Sequence, residues 1–283
     1  MALALLVGLP LLGAAALQRT GDDVATAAPA PVARAAAAEP RCAAPRVELP
    51  SWRAARRATL VVDSVLLGAV PAVRGNLAGW KVTQRGRPAV MLEAIEGEIR
   101  ESGRRVAPLV VIGVGYNSLW QRDRRGYATW ARKFDREAVA LLRTLRRHGA
   151  RQLLWVTLRE ARRSVIPTSA HWQQRDYAWY FPYVNERLRR LARRAPDLVL
   201  ADWAAVSDRP GLTYDAIHLD PDGQRLMART IRRAIETEAT RQMQQARRRA
   251  RAGCTTGTAA VAPGSASTMR ARGADLSSGA AAR

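Results

Sequence analysis

The stretch Thr59-Leu60-Val61-Val62-Asp63-Ser64 is an apolar run of strand length that ends in a carboxylate and a hydroxyl. Apolar residues in succession, rather than in alternation, are the pattern of a strand covered on both faces, as in a parallel sheet. Ser64 falls where that strand gives way to a loop. Four further apolar runs of similar length follow, at residues 80–83, 109–114, 152–157 and 198–202. Between them lie stretches of helical period: Val90, Ile95 and Ile99 mark one face, Ala138, Leu141, Leu142 and Leu145 a second, and Val184, Leu188, Leu191 and Ala195 a third. Near the end, Asp220-Pro221-Asp222-Gly223 offers an N-cap with proline at the first helical position, and Leu226, Met227, Thr230 and Ile231 continue as an amphipathic helix. Strand and helix thus alternate about five times, which predicts an α/β domain of three layers, α/β/α, around a five-stranded parallel sheet. In such sheets ligands bind outside the carboxyl ends of the strands.

The ends of the chain have a different composition. Residues 2–17 carry no charge but contain Pro10, and they are followed by Arg19 and the polar Thr20-Gly21-Asp22-Asp23. Sixteen residues is short of the roughly 20 needed to span a bilayer, so residues 1–20 are expected to be a signal peptide or a marginal N-terminal anchor of an extracytoplasmic protein. Residues 21–57 are rich in Ala, Pro and Arg without apolar period, a linker composition. The folded domain is expected over 58–252 and a disordered tail over 253–283. Cys42 and Cys254 bracket that domain; they offer no metal-ligand spacing, and they are either one disulfide between the two tails or two separate thiols.

Only two of the 46 basic residues, Lys81 and Lys133, are lysine, and the formal charge is +22. The arginines fall mainly on polar helix faces, as in Arg143, Arg146 and Arg147, and no recognisable nucleic-acid module accompanies them. Such a charge attracts anionic wall polymers or membrane surfaces without implying a specific nucleic-acid partner.

Chemistry concentrates in two loops. In Tyr214-Asp215-Ala216-Ile217-His218-Leu219 a carboxylate precedes an imidazole by three residues, just before the last helix. A serine hydroxyl is a weak nucleophile near neutral pH; it needs an imidazole to take its proton and an acceptor to orient that imidazole. Ser64, His218 and Asp215 supply these roles if their loops meet. The run Val110-Val111-Ile112-Gly113-Val114-Gly115-Tyr116-Asn117 ends in a side-chain amide, so Asn117, with backbone N–H groups at Ser64 and a nearby glycine, is placed to stabilise an oxyanion. The N-terminus of the helix starting near Pro221 is expected to disfavour the charged form of His218. His148, in a basic helix end, and His171, in a long loop, lack an Asp three residues ahead. Each piece taken singly also occurs as a plain cap or turn; their joint order carries the reading.

At these residues the chain resembles the SGNH or GDSL-type hydrolases, over roughly residues 58–235. Val62-Asp63-Ser64-Val65 matches the family's G-D-S block, Gly115-Tyr116-Asn117 its G-x-N block, and Asp215 to His218 its D-x-x-H block. The resemblance implies a flavodoxin-like sheet, Ser64 as nucleophile, His218 and Asp215 as its partners, and Ser64, Asn117 and a glycine after the second strand as oxyanion donors. Gly86 is the candidate for that glycine and Gly79 the weaker one. Two departures stand out: Val62 replaces a glycine, which is expected to crowd the turn beneath Ser64, and Ser118 stands where many members carry Asp. The D-S-V form of the first block resembles extracytoplasmic members associated with O-acyl groups on cell-wall or surface glycans. The resemblance implies no metal and no cofactor.

Residues 171–183 contain six aromatics in thirteen positions. Aromatic faces stack on sugar rings, and the same residues also anchor loops to cores, so Trp172, Trp179 and Tyr180, with Tyr116, are candidate contacts for an acylated carbohydrate or a small ester. The expected function is a serine esterase or O-acyltransferase on such a substrate. The alternatives are a non-catalytic surface-binding protein of the same fold and a basic polyanion-binding protein.

Overall fold

β1 (Arg57–Val62) is buried over its last five residues, as a strand covered on both faces must be. In the computed structural model, which describes residues 47–257 apart from 121, 123 and 161, β1 lies inside a single parallel sheet. Its neighbours are β2 (Lys81–Gly86) and β3 (Leu109–Gly113), and β4 (Gln152–Val156) and β5 (Leu198–Ala201) follow, giving the order β2-β1-β3-β4-β5. The helices are α1 (Ser51–Ala54), α2 (Ser64–Asn76), α3 (Leu92–Ser102), α4 (Tyr127–Arg147), α5 (His171–Asp176), α6 (Phe181–Arg194), α7 (Trp203–Ser207) and α8 (Pro221–Gly257). α2 packs on α8, while α3 packs on α4 and α4 on α6, so the sheet is the middle of three layers. The chain leaves β1 for β2 and then returns past it to β3. That reversal opens a crevice at the carboxyl ends of β1 and β3.

One helix is absent from the sequence reading. Ser64 does not enter a loop; it opens α2, with Asp63 as N-cap accepting from the Val65 N–H at 3.0 Å. α2 buries Val65, Leu66, Ala69, Val70 and Val73, but its exposed face carries Gly68, Pro71 and Gly75, turn-forming residues that disguise it as a loop. The domain also starts before residue 58. Trp52 in α1 is buried and donates through Nε1 to Gln242 Oε1 at 3.0 Å, and Gln242 Nε2 donates to Gln152 Oε1 at 2.8 Å, tying α1 to α8 and β4. At the other end α8 runs to Gly257, past the expected boundary at 252. The segments 1–46 and 258–283, and with them the Cys42–Cys254 pairing, fall outside the described residues. Among the described residues no helix is long and apolar enough to cross a membrane.

Val62 sits without strain at the end of β1, fully buried, and both of its register partners are glycines, Gly86 and Gly113. Gly86 has φ +105°, and a Cβ there would lie 2.1 Å from the Val62 carbonyl oxygen, so β2 can close on β1 only as glycine. At Gly113 a Cβ would lie 2.3 Å from the Leu66 side chain, so its absence lets α2 settle onto the sheet. The expected crowding beneath Ser64 is therefore relieved by the neighbouring strands. Val62→Gly should lose the buried side chain and gain backbone freedom, destabilising the fold by about 2 kcal/mol in denaturant unfolding with no gain in turnover.

Candidate active site

The loop at residues 213–219 is shaped by its own polar groups. Thr213 and Leu219 form an antiparallel bridge, Ala216 takes φ +71°, and the turn brings the Asp215 carboxylate back over its own backbone. Asp215 Oδ1 accepts from the N–H groups of Ile217 at 3.1 Å and His218 at 2.7 Å. Oδ2 lies 2.7 Å from His218 Nδ1, which fixes the proton on Nδ1 and leaves Nε2 as the basic nitrogen. His218 Nε2 is 3.0 Å from Ser64 Oγ, across 154 residues of sequence. The structure thus brings Ser64, His218 and Asp215 into one hydrogen-bonded chain at the carboxyl edge of β1. Tyr214 stacks on the His218 ring at 5.9 Å between centroids.

The electrostatics of this chain differ from the sequence expectation. Burial alone would raise Asp215, but the bonds from His218 and the two backbone N–H groups outweigh it and hold the carboxylate below its ordinary range. The Asp215 hydrogen bond, opposed by burial, in turn raises His218 above its ordinary value. The start of α8 does not reverse this, because its cap is itself an acid: Asp220 Oδ1 accepts from the Gly223 N–H at 2.8 Å. The carboxylate three residues away therefore outweighs the helix terminus.

Asn117 reaches the same cleft from the β3 side. Its Oδ1 accepts from the Tyr177 hydroxyl at 2.5 Å, and its Nδ2 lies 3.4 Å from the Val90 carbonyl. With its oxygen held by Tyr177 and one N–H directed at the Val90 carbonyl, the amide plane is fixed, and Nδ2 keeps a second hydrogen for a ligand in the cleft it lines. Burial first, and then the Asp63 charge, pushes the Tyr177 hydroxyl far up, so it stays a neutral donor. Behind Ser64, Asp63 is wholly buried and braces the two halves of the edge: Oδ1 accepts from Val65 N, and Oδ2 lies 3.4 Å from Tyr116 N. Burial pushes its carboxyl up to about 7 against the pull of these amides.

A cleft of about 460 Å³ exposes Ser64, His218 and Asn117, and Trp120, Trp172 and Gln173 stand at its rim. Gly86 does not line it. The segment after β2 reaches the cleft through Pro88 and Ala89, whereas Gly86 is held in register beside Val62; Gly79 precedes β2, on the opposite edge of the sheet. Of the aromatic candidates, only Trp172 lines the cleft. Tyr116 and Tyr180 are core residues: the Tyr116 hydroxyl accepts from the Arg159 N–H at 3.0 Å, and the Tyr180 hydroxyl donates to the Tyr116 carbonyl. Trp179 lines a neighbouring cavity instead. His148 and His171 bond to the Arg104 and Arg163 carbonyls and do not line the cleft.

The sequence reading missed Tyr177, Trp120, Gln173 and Arg159. Arg159 is buried and donates to the carbonyls of Ser207 at 3.1 Å and Arg209 at 2.8 Å and to the Thr213 hydroxyl. It thereby fastens to the end of β4 the segment that leads into Asp215 and His218. Desolvation lowers its pKa from the ordinary arginine value, which is the cost of placing that charge among neutral acceptors.

No family model and no curated protein sequence matches the chain. Solved structures do. A GDSL-like lipase from Bacteroides thetaiotaomicron superposes with a TM-score of 0.50 at 15% identity, over 68% of this chain and 92% of that one. A carbohydrate acetylesterase from Sinorhizobium meliloti gives 0.49 at 14% identity over 64% and 99%, and the C-terminal catalytic domain of peptidoglycan O-acetyltransferase A from Streptococcus pneumoniae gives 0.47 at 20% over 64% and 92%. The fold is that of the SGNH or GDSL-like hydrolases.

Proposed function

We propose that the chain is an extracytoplasmic serine-dependent esterase or O-acyltransferase that acts on acyl groups esterified to cell-wall or surface carbohydrate. The observation that carries this is the continuous hydrogen-bonded path from Asp215 through His218 to Ser64, opening into a cleft that also holds an oriented Asn117. Ser64 Oγ attacks the acyl carbonyl carbon as its proton passes to His218 Nε2. The resulting oxyanion is met by Asn117 Nδ2 and by the Ser64 N–H, which as a first-turn amide of α2 has no acceptor within its own helix. The ester C–O bond breaks, and His218 returns the proton to the departing sugar oxygen. Water or a second hydroxyl then attacks the acyl-Ser64 ester, gives its proton to His218, and releases Ser64.

The carbohydrate part of this reading rests on Trp120 and Trp172, which are 43% and 54% exposed at the rim of a cleft whose floor holds the nucleophile. Exposed indole faces suit a sugar ring. Gln173 Oε1, buried and without a hydrogen-bond partner among the described residues, suits a sugar hydroxyl donor. The uncharged stretch at residues 2–17 supports export. Incubation with an activated acyl ester, followed by intact-mass measurement, should show one acyl group on the protein and none on Ser64→Ala.

The histidine must be neutral to accept the serine proton, so turnover rises with pH. Because Asp215 raises His218, the limb in kcat/KM should lie above the unperturbed value of about 6.5. Asp215→Asn removes that cause and should move the limb downward. The same pairing adds stability that is full below the unfolded-state pKa of the histidine and is lost as pH rises through the folded one. A limb at or below about 6.5 in the parent protein would count against the His218–Asp215 pair as the base.

A further inference from the structure

A second cavity, of about 560 Å³, lies on the other side of α5 from the Ser64 cleft. α5 is their common wall: Trp172 and Gln173 line the cleft, and Gln174 and Arg175 line the cavity. Four arginines line it against a single carboxylate, that of Glu160, which already accepts from Asn185 Nδ2. Arg175 is answered by Asp176, with both N–H···O bonds formed, at 2.6 and 2.9 Å. Arg124 lies 5.4 Å over the Trp179 ring and donates to the Arg175 carbonyl, and Arg163 bonds the His171 ring at 3.0 Å. Aromatic rings form the rest of the wall: Tyr127 and Tyr183 pack at 4.6 Å, and Tyr183 is 44% exposed.

We infer that this cavity is a second subsite, which binds a carboxylate-bearing sugar of the same glycan whose acyl group enters the Ser64 cleft. The inference rests on the esterase or acyltransferase reading above for the meaning of that cleft. Guanidinium groups pair with carboxylates through two parallel bonds, and aromatic rings offer apolar faces to the ring of a sugar. A neutral sugar has no use for the arginines, and a bare anion has no use for the tyrosines. The combination selects a ligand with both features, and the volume is that of a small-ligand pocket of about 300–1,000 Å³. A glycan crossing α5 would place an ester at Ser64 while its acidic unit sits against Arg124 and Arg163.

The test uses Ser64→Ala protein, so that binding is read without turnover, and calorimetric titration with oligogalacturonate against neutral xylo-oligosaccharide. Oligogalacturonate should bind more tightly, and Arg124→Gln/Arg163→Gln should weaken it by at least about tenfold, since each charge-assisted bond lost is worth that order. Arg247→Gln/Arg248→Gln removes the same charge from the exposed far end of α8 and should change binding by less than about twofold at matched salt. Equal losses in the two double variants would mean general polyanion attraction and overturn the subsite. So would equal affinity for the neutral and acidic oligosaccharides, or no binding of the acidic one. Failure of the esterase reading would appear separately, as absence of acyl label on Ser64 in the parent protein.

Discussion

Ser64→Ala should lower turnover of an activated acyl ester by about 10⁴-fold or more and abolish the acyl-enzyme peak, and His218→Ala should fall about as far. The reason is the single proton path: Ser64 Oγ has His218 Nε2 at 3.0 Å as its acceptor, and His218 has Asp215 at 2.7 Å to hold its tautomer. Removing either the nucleophile or the base leaves the other without a task, so Ser64→Ala/His218→Ala should be little worse than either single variant. Asp215→Asn should cost less than either, because Nε2 and Oγ remain and only the tautomer and the charge behind the ring are disturbed. The Asn117 donor and the cleft are untouched in all three, so residual activity above the background rate is expected. Undiminished labelling in Ser64→Ala would transfer the fold to the surface-binding alternative, in which the same cleft holds a ligand and does no chemistry on it.

How far this site was visible beforehand depended on whether each part is local in sequence. Four of the strands were visible as near-continuous apolar runs, whereas β2 is an edge strand carrying Lys81, Gln84 and Arg85 and was legible only in its first part, at residues 80–83. The Asp215 to His218 turn was visible because both groups sit within four residues. α2 was not, because its exposed face is built largely of Gly68, Pro71 and Gly75, so no polar stripe marks it as a helix and Ser64 looked like a loop residue. The aromatic segment shows the same limit. Its composition announced ligand contacts, but α5 and the 3-10 turn Ala178–Tyr180 decide which ring faces which way. Trp172 reaches the cleft, Tyr177 reaches Asn117, and Tyr180 turns into the core. Gly86 is the expected glycine after a strand at residues 80–83, yet it is the last residue of β2, and its lack of a side chain serves the approach to Val62. The pairing of Arg159 with Ser207, Arg209 and Thr213 joins residues about fifty apart, and no spacing rule reaches that far.

Asn117→Ala should lower kcat for the same ester by about 10²- to 10³-fold while leaving the nucleophile competent, the expected cost of removing one donor from an oxyanion site. The effect should fall on kcat more than on KM, because the donor is aimed at charge that develops only in the transition state. Tyr177 supplies the sharper test. Its hydroxyl, 2.5 Å from Asn117 Oδ1, touches no reacting atom, so it is a positioning residue whose work is to keep Nδ2 turned into the cleft. Tyr177→Phe keeps the ring that packs against Phe181 at 5.9 Å and against Tyr180 at 6.1 Å, and removes only the donor. The loss should be about tenfold, one neutral hydrogen bond's worth. In the Asn117→Ala background the same change should cost almost nothing, since there is no amide left to orient. If Tyr177→Phe instead lowered kcat by the same factor in both backgrounds, it would be acting through the packing of the aromatic segment, and Asn117 would be oriented by the protein in some other way.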